Sequence, residues 1–335
     1  MTLTRVATIG LTLFITSCQT VVHEVNELLL FEDFSFYQFQ DSSYLNSVYS
    51  IIEEEGKVYL LDNERNQVMV VNEDGVHLQT IGHQGRGPGE LLGGGQMFLT
   101  NDSLFVYSAG KQAFDLFSNG QYLNTFNMAQ MEGQYSGGRF FAASGSAVLS
   151  TPTIHGSISK VPFANPGVAN FFGRIIEFSS SRQTGYQNER HVFSYGNSIF
   201  AIPRSIPLIE KYTKDGKLIE TLSLEQLPLM EEIVAYARSL LPDERVVVPM
   251  FSDAYLKDDC IFILTTLRCS KTERTTRNTI LVINIGGKKM ELGKIIKLNE
   301  GRHHTIAVSD NYIWTFCSKP IERYVARFPY PLSSR

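Results

Sequence analysis

The chain has 335 residues, of which 30 are Lys or Arg and 34 are Asp or Glu, giving a formal net charge of −4. This balance excludes a basic surface built for nucleic acid. A hydrophobic fraction of 43% with only 19% charged residues excludes disorder over most of the length, and four cysteines are too few for a disulfide-built scaffold. The length fits two ordinary domains or one large all-β domain.

Residues 1–17 are predicted to be a signal peptide. Arg5 supplies a positive charge, and an apolar run follows at residues 6–16. In a helix that run would rise about 16 Å, well short of the roughly 30 Å needed to cross a hydrocarbon core. A secretory segment is therefore favoured over a spanning helix.

The signal peptide ends in Ile15-Thr16-Ser17-Cys18, which resembles the lipobox of bacterial lipoproteins. The resemblance implies cleavage before Cys18 and acylation of its sulfur and new amino group by fatty acids such as palmitate. Because residue 19 is Gln rather than Asp, it also implies the outer membrane. Residues 18–31 would then be a tether. An ordinary signal peptide with an incidental cysteine and a cytosolic start are the alternatives.

A recurring hairpin carries the fold prediction. Asn-Gly or Asp-Gly, flanked by apolar strands, occurs at Gly75, Gly120 and Gly216, and both dipeptides tolerate the positive φ of a tight turn. The first two glycines are 45 residues apart, and the next 96 residues make two periods of 48. The missing turn is expected at Asn165-Pro166-Gly167, and a later one at Gly286-Gly287. A period near 47 residues fits the four-stranded blade of a propeller.

One helix is predicted, at residues 228–242, and it explains why the last gap exceeds one period. Its ends are marked by Pro228 and Pro242. Apolar residues recur on one side, namely Leu229, Met230, Ile233, Val234, Ala237, Leu240 and Leu241. The helix is expected either to pack this side on neighbouring blades or to form a lid over one face.

The two ends of the chain complement each other. Strands expected near 305–308, 312–317 and 323–328 leave the last unit one strand short, and residues 34–39 alternate aromatic and polar residues as a spare strand would. Pairing them closes the ring and removes exposed edges. The sequence therefore predicts an all-β, six-bladed propeller over residues 32–330. A pair of β-sandwiches and an open solenoid do not explain this match.

One blade also carries a family motif. Tyr59 to Asp62, followed by the loop from Ile81 to Glu90, resembles a blade of the six-bladed propeller lipoproteins of Bacteroidota, which are related to NHL-repeat propellers. The motif occurs in one blade only, and blades three and five depart from it. The resemblance implies the fold more than a function.

The glycine-rich loop at residues 82–89 is a candidate ligand site. It lacks the Lys-Ser/Thr of a P-loop, and no βαβ unit surrounds it. We expect either a tight inter-blade loop that needs glycine dihedrals or a ligand loop with His83 and Arg86 as donors.

His303 and His304 come at the start of the inner strand of blade six. Adjacent strand residues point to opposite faces, so both could hold one metal only if a turn intervened. One imidazole could face the central channel; otherwise both are ordinary histidines, and the identity of any metal is unknown. Asp62, Asp253 and Asp310 also lie near inner strands, but sequence alone does not show whether they converge.

Three cysteines follow Cys18. Cys260 and Cys269 flank an extended segment of roughly 30 Å, too long for a disulfide between them. Cys317 could pair with only one of the two. Buried unpaired thiols are the default expectation.

Two functions remain open. The first is a lipid-anchored cell-envelope module that binds a protein, peptide or glycan through one propeller face, with no cofactor and no nucleic-acid partner. The second is a metal-dependent hydrolase or lyase with its site in the channel. The sequence contains no nucleophile elbow, zinc-protease helix or cysteine pair with ligand spacing, which favours the first. Fold alone does not decide, because propellers host both classes.

Overall fold

A computed structural model describes residues 26–39, 44–135, 137–178, 180–240, 246–266, 276–299, 301–319 and 322–330. The predicted signal peptide, the lipidation site Cys18, Cys269 and the helix end at Leu241 and Pro242 lie outside these residues. The first strands in chain order are β1 Asn26–Leu30, β2 Phe34–Phe36, β3 Val48–Glu54, β4 Lys57–Asp62, β5 Gln67–Asn72, β6 His77–Ile81, β7 Gly94–Thr100, β8 Ser103–Ser108, β9 Ala113–Ser118 and β10 Gln121–Asn127.

The second half contains the two α-helices of the described residues, α1 Ser181–Gln187 and α2 Pro228–Leu240. Its strands are β11 Phe141–Ala143, β12 Ser146–Thr153, β13 Gly156–Pro162, β14 Asn170–Phe172, β15 Arg190–Tyr195, β16 Ser198–Pro203, β17 Leu208–Thr213, β18 Leu218–Ser223, β19 Phe251–Lys257, β20 Cys260–Thr265, β21 Thr279–Asn284, β22 Glu291–Leu298, β23 Arg302–Val308, β24 Tyr312–Lys319 and β25 Glu322–Pro329.

These strands form six sheets, which confirms the six-bladed propeller. Five blades follow the chain as antiparallel meanders: β3 to β6, β7 to β10, β11 to β14, β15 to β18, and β19 to β22. The sixth has the order β2-β25-β24-β23. Because every blade begins at its inner strand and alternates direction outward, the six inner strands run the same way along the channel. They are β3, β7, β11, β15, β19 and β23.

The ring is closed by the N-terminal strand, as predicted. β2 pairs antiparallel with β25, with Phe34 opposite Arg327 and Phe36 opposite Val325. The Arg327 guanidinium lies 5.0 Å from the centre of the Phe34 ring and pairs with Asp33 at 3.0 Å. The strand is shorter than expected, since only 34–36 of the predicted 34–39 are assigned to it.

The chain before β2 differs from the predicted tether. Residues 26–30, expected within a tether at 18–31, form β1 and add a fifth strand to blade five, parallel to β22. Lys297 and Glu27 form an ion pair across this edge at 2.6 Å. Four of the five β1 residues are exposed, so backbone pairing and the burial of Leu30 hold the strand.

The predicted hairpin turns are present in blades one, two and four, whereas blade three has a different turn. Gly75, Gly120 and Gly216 have φ values of 73°, 76° and 91°, the left-handed conformation that the hairpins require. At the turn expected in blade three, a single 3₁₀ turn at Pro166–Val168 separates β13 from β14. The Pro ring fixes φ near −65°, which suits the start of such a turn.

The predicted helix α2 packs rather than covers a face. Met230, Ile233, Val234 and Ala237 are buried in the apolar cluster that joins blades four and five. The short helix α1 was not predicted, because its sequence has no apolar stripe; Ser180 caps it by accepting a hydrogen bond from Gln183 N at 3.2 Å.

The two described cysteines of the propeller are both buried. Cys317 forms no disulfide with any described cysteine, and the Sγ of Cys260 lies 3.3 Å from Asn284 Oδ1.

Candidate ligand site at the channel mouths

The centre of the channel is closed by a buried ion pair. Arg139 reaches it from the loop that precedes β11, and Asp253 lies on β19; both are almost fully buried. Arg139 Nε donates to Asp253 Oδ1 at 2.8 Å, and Nη2 donates to Oδ2 at 2.6 Å. The same guanidinium donates to the carbonyls of Ile51 at 3.0 Å and Ile306 at 2.8 Å. This pair therefore links three blades to the loop before a fourth.

The loop can place Arg139 there because of the residue before it. A Cβ on Gly138 would overlap the carbonyl oxygen of Arg190, so only glycine allows the backbone to pass this close to β15. Tyr135 also donates a hydrogen bond to the Gly138 carbonyl. These contacts fix the direction in which the arginine leaves the backbone.

Asp253 is held as a carboxylate. It also accepts hydrogen bonds from Thr305 Oγ1 at 2.6 Å and Ile306 N at 2.9 Å. Burial acts to raise its pKa, but the facing Arg139 guanidinium and these donors hold the pKa of Asp253 below its ordinary value. The pair is charged at neutral pH and divides the channel into two mouths.

The mouth at the starts of the inner strands, here called the basic mouth, holds a cavity of about 620 Å³. Of the described carboxylates, two line it: Asp253, which is engaged by Arg139, and Glu64 at the rim. The cationic residues and histidines that line it are Arg204, Arg277, Arg302, Lys319, Arg323, His191 and His304.

The arginines of the basic mouth differ in their partners. Arg204 pairs with Glu189 at 2.8 Å, and Arg323 pairs with Glu64 at 3.5 Å. Arg277 and Arg302, by contrast, have no carboxylate within ion-pair distance among the described residues. Burial, followed by the charges of Arg302 and Arg204, lowers the pKa of Arg277 to about 10. Among the described residues, these two arginines thus give the mouth an excess of positive charge.

His304 lies between these arginines and the wall. Burial, followed by the charges of Arg277, Arg302 and Arg323, lowers its pKa to about 4, so the ring is neutral at pH 7. Its Nδ1 lies 3.2 Å from Arg277 Nη1 and its Nε2 lies 2.8 Å from Ser318 Oγ. Since the arginine can only donate, Nδ1 is the acceptor and Nε2 carries the proton. Both ring nitrogens are used in positioning Arg277.

Several buried donors of the basic mouth have no partner in the described part of the chain. They are Arg204 Nε, Arg277 Nε, Thr266 Oγ1 and His191 Nε2. His191 is 1% exposed and Thr266 is 4% exposed. Burial lowers the pKa of His191 to about 3, and its Nδ1 accepts from Arg139 N at 3.1 Å, so its proton is on Nε2. Every one of these unmet atoms can donate a hydrogen bond.

The opposite mouth, here called the acidic mouth, is formed by the hairpins that follow the inner strands. Its cavity of about 820 Å³ has an aromatic wall that includes Phe98, Phe140 and Tyr255. Lys257 pairs with Asp310 at 2.9 Å. The pKa of Glu53 is raised by burial. The carboxylates of this mouth are Glu53, Glu54, Glu55, Glu73, Asp258 and Asp310.

The candidate histidines of blade six lie in different surroundings, at an irregularity in the pairing of β23 with β24 between His303 and Thr305. His304 lines the basic mouth. His303 is buried within the blade, where its Nδ1 lies 2.8 Å from Thr315 Oγ1 and its ring packs against Phe328. Burial lowers the pKa of His303 to about 4.

His83 and Arg86 line neither mouth. They lie in the loop between blades one and two, where His83 is 3.3 Å from Glu90 and Arg86 donates to the Gly110 carbonyl at 3.2 Å. Glu90 accepts from Gly87 N at 2.6 Å, and Lys111 donates to the Glu90 carbonyl at 2.8 Å. These contacts link blade one to blade two. The structure does not bring this loop together with the histidines of blade six.

The three candidate aspartates do not converge. Asp253 is part of the channel pair, Asp310 lies at the acidic mouth, and Asp62 caps a turn by accepting from the backbone nitrogens of Glu64 and Arg65. Within the described ranges, no three His, Cys, Asp or Glu side chains are close enough to hold a metal ion. The described helices include none long and apolar enough to span a membrane.

Sequence reasoning missed Arg139, which forms the channel ion pair, and Arg277 and Arg302, which line the basic mouth. The sequence does mark two residues of the basic mouth. Asp253 and Arg302 are charged residues on inner strands, where a purely structural strand would have apolar or small residues. No local pattern marks Arg139, since it precedes a three-residue strand.

Comparison with known proteins agrees with this architecture. A family model described as a six-bladed β-propeller, DUF5128, matches residues 14–135. A search of the curated proteins found no match.

Solved structures extend the likeness to most of the chain. A Bacteroides vulgatus member of the DUF4221 family superposes with a TM-score of 0.60 at 10% identity, covering 90% of this chain and 96% of that one. A Bacteroides fragilis protein named as exported gives 0.57 at 12% identity, covering 91% and 99%. A Bacteroides thetaiotaomicron protein of unknown function gives 0.55 at 10% identity, covering 89% and 73%. With the sheet order described above, these likenesses identify the fold of the chain as a six-bladed β-propeller with four-stranded blades.

Proposed function

We propose that the protein is a binding module of the cell envelope, anchored by lipid at Cys18, with the basic mouth as its ligand face. The observation that carries the proposal is the open cavity of about 620 Å³ in which Arg277 and Arg302 pair with no carboxylate of the described part of the chain. A closed floor and convergent, unmet polar groups are the features of a ligand site in a rigid scaffold. The partner is a protein, peptide or glycan that presents a group to this cavity.

The strand order supports the choice of face. β1 is parallel to β22, and β22 runs opposite to the inner strand β19. Since β19 runs from the basic mouth to the acidic mouth, Asn26 lies at the acidic end of the propeller. An anchor at Cys18 would precede it by eight residues, which span at most about 28 Å. The basic mouth would then point away from the membrane.

The location in the envelope is supported by two further points. The lipobox-like sequence ends in Cys18, and the Bacteroides fragilis protein of the same fold is named as exported. Several acyl chains together give stable anchoring, because each buried methylene contributes about 0.8 kcal/mol.

The anchor is tested with Cys18→Ala. We expect the wild-type protein to sediment with outer membranes and to incorporate labelled palmitate, and the variant to be unacylated and released by detergent-free washing. Cys317→Ala is the matched control and should remain membrane-bound. A Cys18→Ala protein that stays with washed membranes would contradict the anchor.

Ligand binding is tested with the full-length Cys18→Ala protein on arrays of glycans and peptides. We expect binding that is lost when Tyr49, an exposed aromatic of the basic mouth, is replaced by Glu. Binding should persist when Tyr195, exposed outside the mouth, is replaced by Glu. Equal loss in both variants, or chelator-sensitive turnover of a bound ligand, would contradict a binding module at this mouth; the latter would favour the metal-dependent hydrolase or lyase.

A further inference from the structure

We propose that the basic mouth is an oxyanion site, in which Arg277 and Arg302 together bind a carboxylate or phosphate group of the ligand and His191 and Thr266 donate to it from the floor. This inference rests on the proposed function and adds the chemistry of the ligand. It depends on the arrangement of donors, on their burial and on the lack of a paired carboxylate among the described residues.

The first step is that the two arginines are held side by side. Residues 277 and 302 form a parallel β-bridge, and His303 N donates to the Arg277 carbonyl at 3.0 Å. His304 then accepts from Arg277 Nη1 at 3.2 Å, which fixes the direction of the guanidinium. Two like charges placed together without a carboxylate repel each other, so an anion is what the pair favours.

The second step is the chemistry of the unmet atoms. Among the described residues of this mouth, the four buried polar atoms without partners are all hydrogen-bond donors, namely Arg204 Nε, Arg277 Nε, Thr266 Oγ1 and His191 Nε2. A buried donor without an acceptor is costly. A ligand that offers several acceptor lone pairs satisfies them together, and carboxylate and phosphate oxygens do so best for guanidinium groups.

The third step is that both described carboxylates of the basic mouth already form ion pairs. Asp253 is engaged by Arg139 at 2.6 Å, and Glu64 pairs with Arg323 at the exposed rim. An anionic ligand would supply the negative charge that the described lining of the cavity lacks. The opposite mouth carries six carboxylates, so an anion is directed to the basic mouth and away from the other.

Because Arg277 is partly buried, its substitution distinguishes a role in anion binding from a purely structural role. Because the Arg277 charge is partly buried beside Arg302 and Arg204, a shorter, neutral side chain such as Gln removes repulsion from the unliganded protein. Arg277→Gln should therefore leave the melting temperature unchanged or raise it, while it weakens anion binding. An arginine that served only the fold would show the opposite.

The experiment is calorimetric titration of the full-length Cys18→Ala protein with inorganic phosphate and, separately, with citrate at low ionic strength. We expect one site per chain for at least one of the probes. Arg277→Gln and Arg302→Gln should each weaken it tenfold or more, and Arg302→Lys, which keeps the charge but not the fork, should weaken it less. Arg86→Gln, which removes a charge outside the mouth, is the matched control and should change affinity less than twofold.

The probe that binds identifies the ligand group, phosphate or carboxylate. The oxyanion site is refuted if neither probe binds, if binding is insensitive to the Arg277 and Arg302 variants, or if Arg277→Gln lowers the melting temperature. A failure of both probes with intact, mouth-dependent binding on the arrays would refute this inference and leave the proposed function standing.

Discussion

The channel ion pair gives the sharpest stability prediction. Asp253→Asn keeps the size of the side chain and removes its charge, leaving the Arg139 guanidinium buried without a counter-ion. The two side chains are 5% and 2% exposed and share two hydrogen bonds of 2.8 and 2.6 Å. At that burial, water does not replace the lost partner.

The magnitude follows from the geometry. Breaking one partner of a buried ion pair costs about 3–5 kcal/mol, because the remaining charge is left uncompensated. Arg139 retains its bonds to the carbonyls of Ile51 and Ile306, which partly support the charge, so we expect a value near the lower end, about 3 kcal/mol. Replacing both partners, with Arg139→Met and Asp253→Asn together, should cost less than the two single changes added.

The assay is equilibrium urea unfolding of the full-length Cys18→Ala protein and its three variants at pH 7. The double-mutant cycle isolates the pairwise energy, since the two residues are in direct contact. Lys257→Gln, which breaks the exposed pair with Asp310, is the control and should cost less than about 1 kcal/mol. The reasoning is refuted if Asp253→Asn costs no more than this control, or if the two channel variants are additive.

Three further predictions concern the pH dependence, the loop and the ring closure. Burial lowers the pKa of His303 to about 4 in the folded protein, against about 6.5 in the unfolded chain, so the unfolded chain binds the extra proton and the free energy of unfolding falls from pH 7 to pH 5. His303→Gln should reduce that fall by about 2 kcal/mol in urea titrations at the two pH values. An unchanged fall would contradict this prediction. Gly138→Ala should lower stability by about 1–3 kcal/mol in thermal melts, through overlap with the Arg190 carbonyl. The control Gly185→Ala, whose new Cβ meets no atom within 4 Å in helix α1, should be neutral or stabilising in the same melts. Phe34→Ala in β2 should lower stability by about 2 kcal/mol and Tyr37→Ala, which is 60% exposed, by much less; equal effects would argue that β2 contributes little to closure.

The blade repeat and its closure were predictable because their signals are local. Gly75, Gly120 and Gly216 mark turns that need a positive φ, whatever surrounds them. The spare strand at Phe34–Phe36 alternates as a half-buried strand must, and the last unit lacks one strand. Counting these features is enough to derive six blades.

The edge strand β1 escaped prediction for a related reason. Asn26–Leu30 buries one side chain of five, so its residues carry no alternating pattern. The strand exists because the edge of β22 offers unpaired backbone groups, and that edge is created by the fold rather than by the residues that cover it.

The sequence by itself determined the number of blades, the closing strand and the packed helix α2, since periodicity and turn chemistry act over a few residues. Only the tertiary structure decided the candidate site. Arg139 meets Asp253 across 114 residues of sequence, and Arg277 meets Arg302 by a bridge between blades. A channel collects one or two side chains from each blade, so which charges face each other depends on how the ring closes and how far each loop reaches into it.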